Sequence, residues 1–167
     1  MTTGEAYYAK QSNSYLIKLV GDVRYTLSCA LDDFLNQLFA RNDYDDILID
    51  LSEADSIDST SLGLLAKIAN FMRERFGKKA TLISANPDIN QMLDSVGFSD
   101  IFLMRQDLPA DSTAGLKLAI TEPSKEELTK TLYEAHHTLV ELNDNNRRTF
   151  HDLVETLRGR LVSQSSK

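Results

Sequence analysis

The sequence predicts an α/β fold: a mixed β-sheet, mostly parallel with an N-terminal antiparallel hairpin, helices packed on it, and a C-terminal helical extension. Three observations carry this expectation. Short apolar, β-branched runs alternate with stretches of helical periodicity as far as Met104. The first two runs, Tyr7-Tyr8-Ala9-Lys10 and Tyr15 to Val20, are joined only by Gln11-Ser12-Asn13-Ser14, the length of a hairpin connection. Beyond Pro123 the pattern turns wholly helical.

In chain order, Gly21-Asp22 is expected to end the second strand, and Leu27, Leu31, Phe34, Leu35, Leu38 and Phe39 mark a helix closing near Arg41-Asn42. The segment Tyr44 to Phe76 organises the rest. Asp46 to Leu51 reads as a buried central strand, an acid-rich loop follows, and Asp58-Ser59-Thr60-Ser61 offers several capping side chains in a row. From there Leu62, Leu65, Ala66, Ala69, Met72 and Phe76 fall on one face of a helix, and Gly77 stops it. Ala80 to Ala85 predicts another strand. Asn86-Pro87 opens a short helix burying Ile89, Met92, Leu93 and Val96, and Ile101 to Met104 is a last short strand.

Gln106 to Glu122 reads as a linker or docking loop with a weak apolar patch from Leu116 to Ile120. Leu128, Leu132, Ala135, Leu139, Leu142, Asn146, Thr149 and Leu153 then keep a 4-3 register. Whether Asn143-Asp144-Asn145-Asn146 breaks this segment is left open by pattern alone, with one helix favoured. The expected division is a sheet domain over 1–108, a linker or docking loop over 109–122 and a helical extension over 123–162.

The chain of 167 residues is 42% hydrophobic, carries a net charge of −7, and has a single cysteine, Cys29. The acidic balance disfavours a nucleic-acid binder, whose phosphate contacts need a basic face. No apolar run reaches membrane-span length and no leader opens the chain, so a cytoplasmic protein is expected. The lone cysteine agrees with a reducing compartment.

A hydrolytic triad through Ser59 is not expected. The histidines His136, His137 and His151 all lie in the C-terminal segment, where they read as solvated helix residues, and no G-x-S-x-G elbow occurs. Neither a metal set nor a phosphate-cradling glycine motif is visible, so no metal, cofactor or enzymatic activity is expected. Asp45 and Asp46 read as solvated charges at the strand entry. By residue type alone, helix capping is the first reading of Ser59, Thr60 and Ser61, while Asp58 stands evenly between capping and a switch role. Leu64, Ile68 and Phe71 form a second apolar stripe about 120° from the core face, at 100° per residue. It either packs beneath a neighbouring helix or receives a partner.

Taken together, these residues resemble the STAS family, the domain shared by sulfate transporters and bacterial anti-sigma factor antagonists. Ile47-Leu48-Ile49-Asp50-Leu51 followed by Ile57-Asp58-Ser59-Thr60-Ser61-Leu62-Gly63-Leu64 is similar to the family's strand and its D-S-[ST]-G-L-G signature. Ile17 to Val23 resembles the family's strand-then-glycine element, and Asn86-Pro87 through Phe102 its closing helix–turn–strand. Ser61 replaces the signature's glycine, and Arg24 stands where many antagonists carry an aspartate.

The resemblance implies partner switching. An unphosphorylated antagonist captures an anti-sigma factor, a serine kinase of the histidine-kinase-like ATPase type cancels capture, and a serine phosphatase restores it. The implied phosphorylation site is Ser59, with Thr60 the lesser candidate. Asp55, Asp58, Ser61 and Gly63 would form the switch loop, and Asp22, Arg24, Leu64, Ile68 and Phe71 would meet the partner. A homodimer is left open. The alternative from the same fold is a sensor of small ligands, nucleotide or lipid.

Overall fold

The computed structural model describes residues 3–109 and 115–165. Strand β1 (Glu5–Gln11) pairs antiparallel with β2 (Ser14–Val23) across a tight turn in which Ser12 takes a left-handed φ of 54°. A short 3-10 turn at Tyr25–Leu27 leads into α1 (Ser28–Phe39), which buries Leu31, Leu35 and Leu38. Strand β3 (Asp46–Ile57) runs parallel to β2 and feeds α2 (Ser59–Phe76). Strand β4 (Thr81–Ile83), helix α3 (Pro87–Ser95) and strand β5 (Leu103–Arg105) complete the parallel part. The mixed sheet expected from the sequence is therefore present, with strand order β5-β4-β3-β2-β1 continued at its far edge by β6 (Leu116–Lys117).

Four expectations need correction. Gly21-Asp22 does not end β2: Gly21, at φ 78°, absorbs a register shift, and pairing continues to Val23. The residues after Leu51 are not a loop, since Val20, Gly21, Asp22 and Val23 pair with Glu53, Ala54, Ser56 and Ile57. The acids that look loop-like simply occupy exposed positions of a long strand. Leu116 and Lys117, placed in a linker, pair with Tyr8 and Tyr7 of β1. Such pairing is carried by backbone groups, so the side chains leave little trace of it. Met92 is exposed on α3, while Ile89 and Leu93 hold its buried face.

Within β3 Ile47, Ile49 and Leu51 are fully buried on one face, while on the other Leu48 is half-buried and Asp50, itself buried, accepts from Ser52 N. Helix α2 closes with Gly77 in the left-handed conformation, at φ 64°, its amide donating to the Arg73 carbonyl.

The C-terminal segment is a pair of helices, α4 (Lys125–Leu142) and α5 (Asp144–Ser165), rather than one. Asn143 is the break. Its backbone is extended, its Oδ1 accepts from Asn146 N at 2.8 Å, and its Nδ2 donates to the Val96 carbonyl at 3.2 Å. Asn146, 1% exposed, donates to the same carbonyl at 2.9 Å. The break shifts the seam, so Thr149 and Leu153 are exposed while Val154 and Leu157 are buried.

Helix α4 packs against α2. Ala135 and Leu139 are buried with the sheet residues in one hydrophobic cluster. The two backbones meet at Gly63: a Cβ there would lie 2.8 Å from the Ala135 Cα and closer still to its carbonyl. In a free helix Gly→Ala gains about 1 kcal/mol. Here Gly63→Ala should reverse that sign and cost about 1–3 kcal/mol through overpacking, read as a lower urea midpoint. A raised midpoint would show that α2 and α4 do not cross this closely.

Candidate functional site

The site forms where β3 runs into α2 with one residue between them. Asp58 caps α2 from an extended backbone conformation: its Oδ1 accepts from Ser61 N at 2.9 Å, and its Oδ2 accepts from Tyr25 N at 2.8 Å. One carboxylate thus fixes the first turn of α2 against the 3-10 turn ahead of α1.

With the cap supplied by Asp58, the three hydroxyls divide. Ser61 is buried and its Oγ donates to the Val23 carbonyl at 3.3 Å. Thr60 is only 4% exposed. Ser59 is half-buried, and its Oγ lies 2.8 Å from Nε2 of His136 on α4. This contact corrects two sequence expectations. His136 is not a solvated helix residue, since it is 3% exposed, and a histidine does come within reach of Ser59. The contact spans 77 residues of chain, and nothing in the local pattern announces it beyond a histidine beside the Ala135–Leu139 seam. His137 and His151 do lie at the surface, beside Glu141 and Asp152.

The hydrogen bonds assign the tautomer. Nδ1 of His136 lies 2.7 Å from the Leu132 carbonyl, which can only accept, so Nδ1 carries the proton. Nε2 then presents a lone pair, and Ser59 donates to it. Burial pushes the His136 pKa below the ordinary imidazole range, against smaller upward pulls from the Leu132 carbonyl and Asp58.

The remaining predicted site residues are placed as follows. Asp55 is exposed on β3, and Gly63 lies one turn along α2 from Ser59 against Ala135. Asp22 accepts from Ser56 Oγ and pairs with Arg24 Nε at 3.3 Å. Leu64 and Ile68 are 2% and 0% exposed. Phe71 stacks on Phe39 of α1 with ring centroids 4.1 Å apart, and one turn earlier Lys67 reaches Asp32 of α1 at 2.7 Å. The second stripe of α2 therefore lies inside the chain. Leu64 alone lines the open seam between α2 and α4, together with Lys67, Tyr133 and Ala135.

The order of elements agrees with comparison to known proteins. The family model for the STAS domain matches residues 7–110. The chain belongs to the STAS domain family. Helices α4 and α5 lie outside the matched segment. No curated protein matches the chain.

The STAS fold is shared with solved structures at low identity. An anti-sigma factor antagonist from Mycobacterium paratuberculosis is 18% identical, covering 64% of this chain and 88% of that one, with a TM-score of 0.54. SpoIIAA in its unphosphorylated form is 12% identical, covering 62% and 89%, with a TM-score of 0.52. The Bacillus cell fate determinant SpoIIAA in its phosphorylated form is 12% identical, covering 61% and 92%, with a TM-score of 0.51. At these identities the likeness is one of fold.

Because folding lowers the His136 pKa, the packed state favours the neutral ring. The stability this contributes is complete above the ordinary value of 6.5 and falls as pH drops from there towards the lowered one. The wild-type urea midpoint should therefore decline between pH 7.5 and 5 more steeply than that of His136→Gln, whose side chain cannot titrate. Parallel profiles would show that His136 is charged or solvated in the folded chain.

Proposed function

We propose that the chain is a non-enzymatic partner-switching regulator of the anti-sigma factor antagonist type, capturing an anti-sigma factor through the α2 side of the STAS domain and releasing it when Ser59 is phosphorylated. One observation carries this reading. Asp58 does the capping that Ser59 would otherwise serve, which leaves Ser59 as the member of the hydroxyl cluster whose Oγ engages a side chain rather than the backbone. The buried Thr60 and Ser61 are poor alternatives. A kinase would transfer the terminal phosphoryl group of ATP to the Ser59 oxygen. The new O–P bond replaces the hydroxyl hydrogen, the bond to the β-phosphate oxygen breaks, and ADP and the hydroxyl proton leave.

The added charge of about −1.5 to −2 would stand beside Asp58. An acidic or closely packed partner surface would be repelled, while the α2 N-terminus offsets part of the charge within the domain. The kinase fitting this scheme is of the histidine-kinase-like ATPase type, a serine phosphatase resets it, and both act in the cytoplasm.

A hydrolytic role for the Ser59–His136 pair is less well supported. His136 Nδ1 is bonded to a backbone carbonyl, and both oxygens of Asp58 are taken by amides. No carboxylate orients the imidazole as acyl transfer would need.

Phosphopeptide mapping of protein recovered from cells, with affinity capture on Ser59→Ala and Ser59→Asp baits, tests the proposal. Modification is expected at Ser59, with partner capture by the alanine bait and loss of at least tenfold in recovery on the aspartate bait. Modification confined to Thr60 or to the C-terminal helices, or equal capture by both baits, would overturn it.

A further inference from the structure

We propose that α4 and α5 form a built-in cover over Ser59, occupying the surface that a partner would use, so that phosphorylation and capture both require the hairpin to swing away. This rests on the reading of Ser59 as the switch residue and adds how access to it is governed.

On its α4 side the Ser59 hydroxyl has no room for a larger group. At 2.8 Å between Ser59 Oγ and His136 Nε2, no atom but the shared hydrogen fits between them. One turn away Gly63 meets the Ala135 backbone at a separation that excludes even a Cβ. A phosphoryl group on Ser59 would meet the lone pair of a buried, neutral imidazole and bring its charge next to Asp58, the preceding residue. The carboxylate repels it, the neutral ring offers it no hydrogen at Nε2, and the close crossing at Gly63 leaves little slack beside it.

The same packing describes the partner. Helix α4 places a small residue at Gly63, a hydrogen-bond acceptor at Ser59 and an apolar stretch through Leu139. The occupant that would displace it is a partner helix with those three features: a small residue at the crossing, an acceptor for the serine hydroxyl and an apolar stripe one turn beyond. A phosphate on Ser59 removes the donor that such an acceptor needs, so the internal cover and the external partner are refused by the same modification.

The hairpin is also built to leave. Its seam with the domain is incompletely filled: a cleft of about 250 Å³ is lined by Asp32, Gly63, Leu64, Lys67, Tyr133 and Ala135. A second cleft, of about 530 Å³, runs between α1 and α4 and is lined mainly by polar residues, among them Asp33, Asn36, Glu127 and Lys130. The turn at Asn143 is held by amide hydrogen bonds to the Val96 carbonyl, a tether about which the two helices can move.

Hydrogen exchange on the intact chain tests this without any partner. In the wild type, amides of α4 should exchange at least tenfold faster than those of β2 and β3, through an opening that leaves the sheet protected. Ser59→Glu should accelerate α4 exchange a further tenfold or more, while Ser59→Ala does so by less than threefold. If the wild-type hairpin exchanges only together with the sheet, it is part of one cooperative core and the proposal fails. That arm decides the matter even if Ser59→Glu does not fold. A Ser59→Glu chain with unchanged or slowed α4 exchange would show that the charge is accommodated beneath the cover, and would also overturn it. Opening of the hairpin with no Ser59 phosphate found in cells would instead sink the switch reading and leave the cover standing.

Discussion

The close crossing of α2 and α4 at Gly63 is the constraint on which the site depends. Because Gly63 has no side chain, the Ala135 backbone can approach α2, and that approach brings His136 onto Ser59. A bulkier residue at either position would hold the helices farther apart and break the serine–histidine contact before it disturbed the sheet. Burial of Leu139 and Ala135 supplies the attraction. A fully buried leucine contributes about 1.5–3 kcal/mol, and Leu142 and Phe150 add partly buried apolar surface against the same core. The clefts on either side keep the total modest.

Asp58 supplies the complementary constraint. By spending both carboxylate oxygens on backbone amides, it fixes the helix start and the adjoining turn in one step. The hydroxyl that follows is then spared for another purpose. On the proposed reading, a rigid base and a docked cover meeting at one serine would join a conformational equilibrium to a covalent one.

The parts of this arrangement legible in the sequence are those set by neighbours along the chain. Asp58 before three hydroxyls, Pro87 after Asn86, and Gly77 after a cationic turn each declare a helix end through local hydrogen bonding. The alternation of strand and helix patterns gives the mixed sheet. What was not legible depends on contacts between distant segments. β6 is two exposed residues held by backbone pairing to β1. Glu53 and Asp55 occupy exposed positions late in β3 and mimic a loop. The break at Asn143 uses a side chain equally at home inside a polar helix and at its cap, and only the Val96 carbonyl decides between them. His136 looked like a surface histidine because its partner lies 77 residues away. The stripe Leu64, Ile68 and Phe71 was read correctly as apolar, but its covering by the chain itself needed the positions of α1 and α4.

The most direct measurement of the central claim is a long-range proton–nitrogen correlation spectrum of the histidine rings in the intact chain. The account predicts that His136 is a single neutral tautomer with the proton on Nδ1 and that its Nε2 signal shifts in Ser59→Ala, while the ring signals of His137 and His151 ignore that substitution. A His136 ring that averages between tautomers and is indifferent to Ser59 would contradict it.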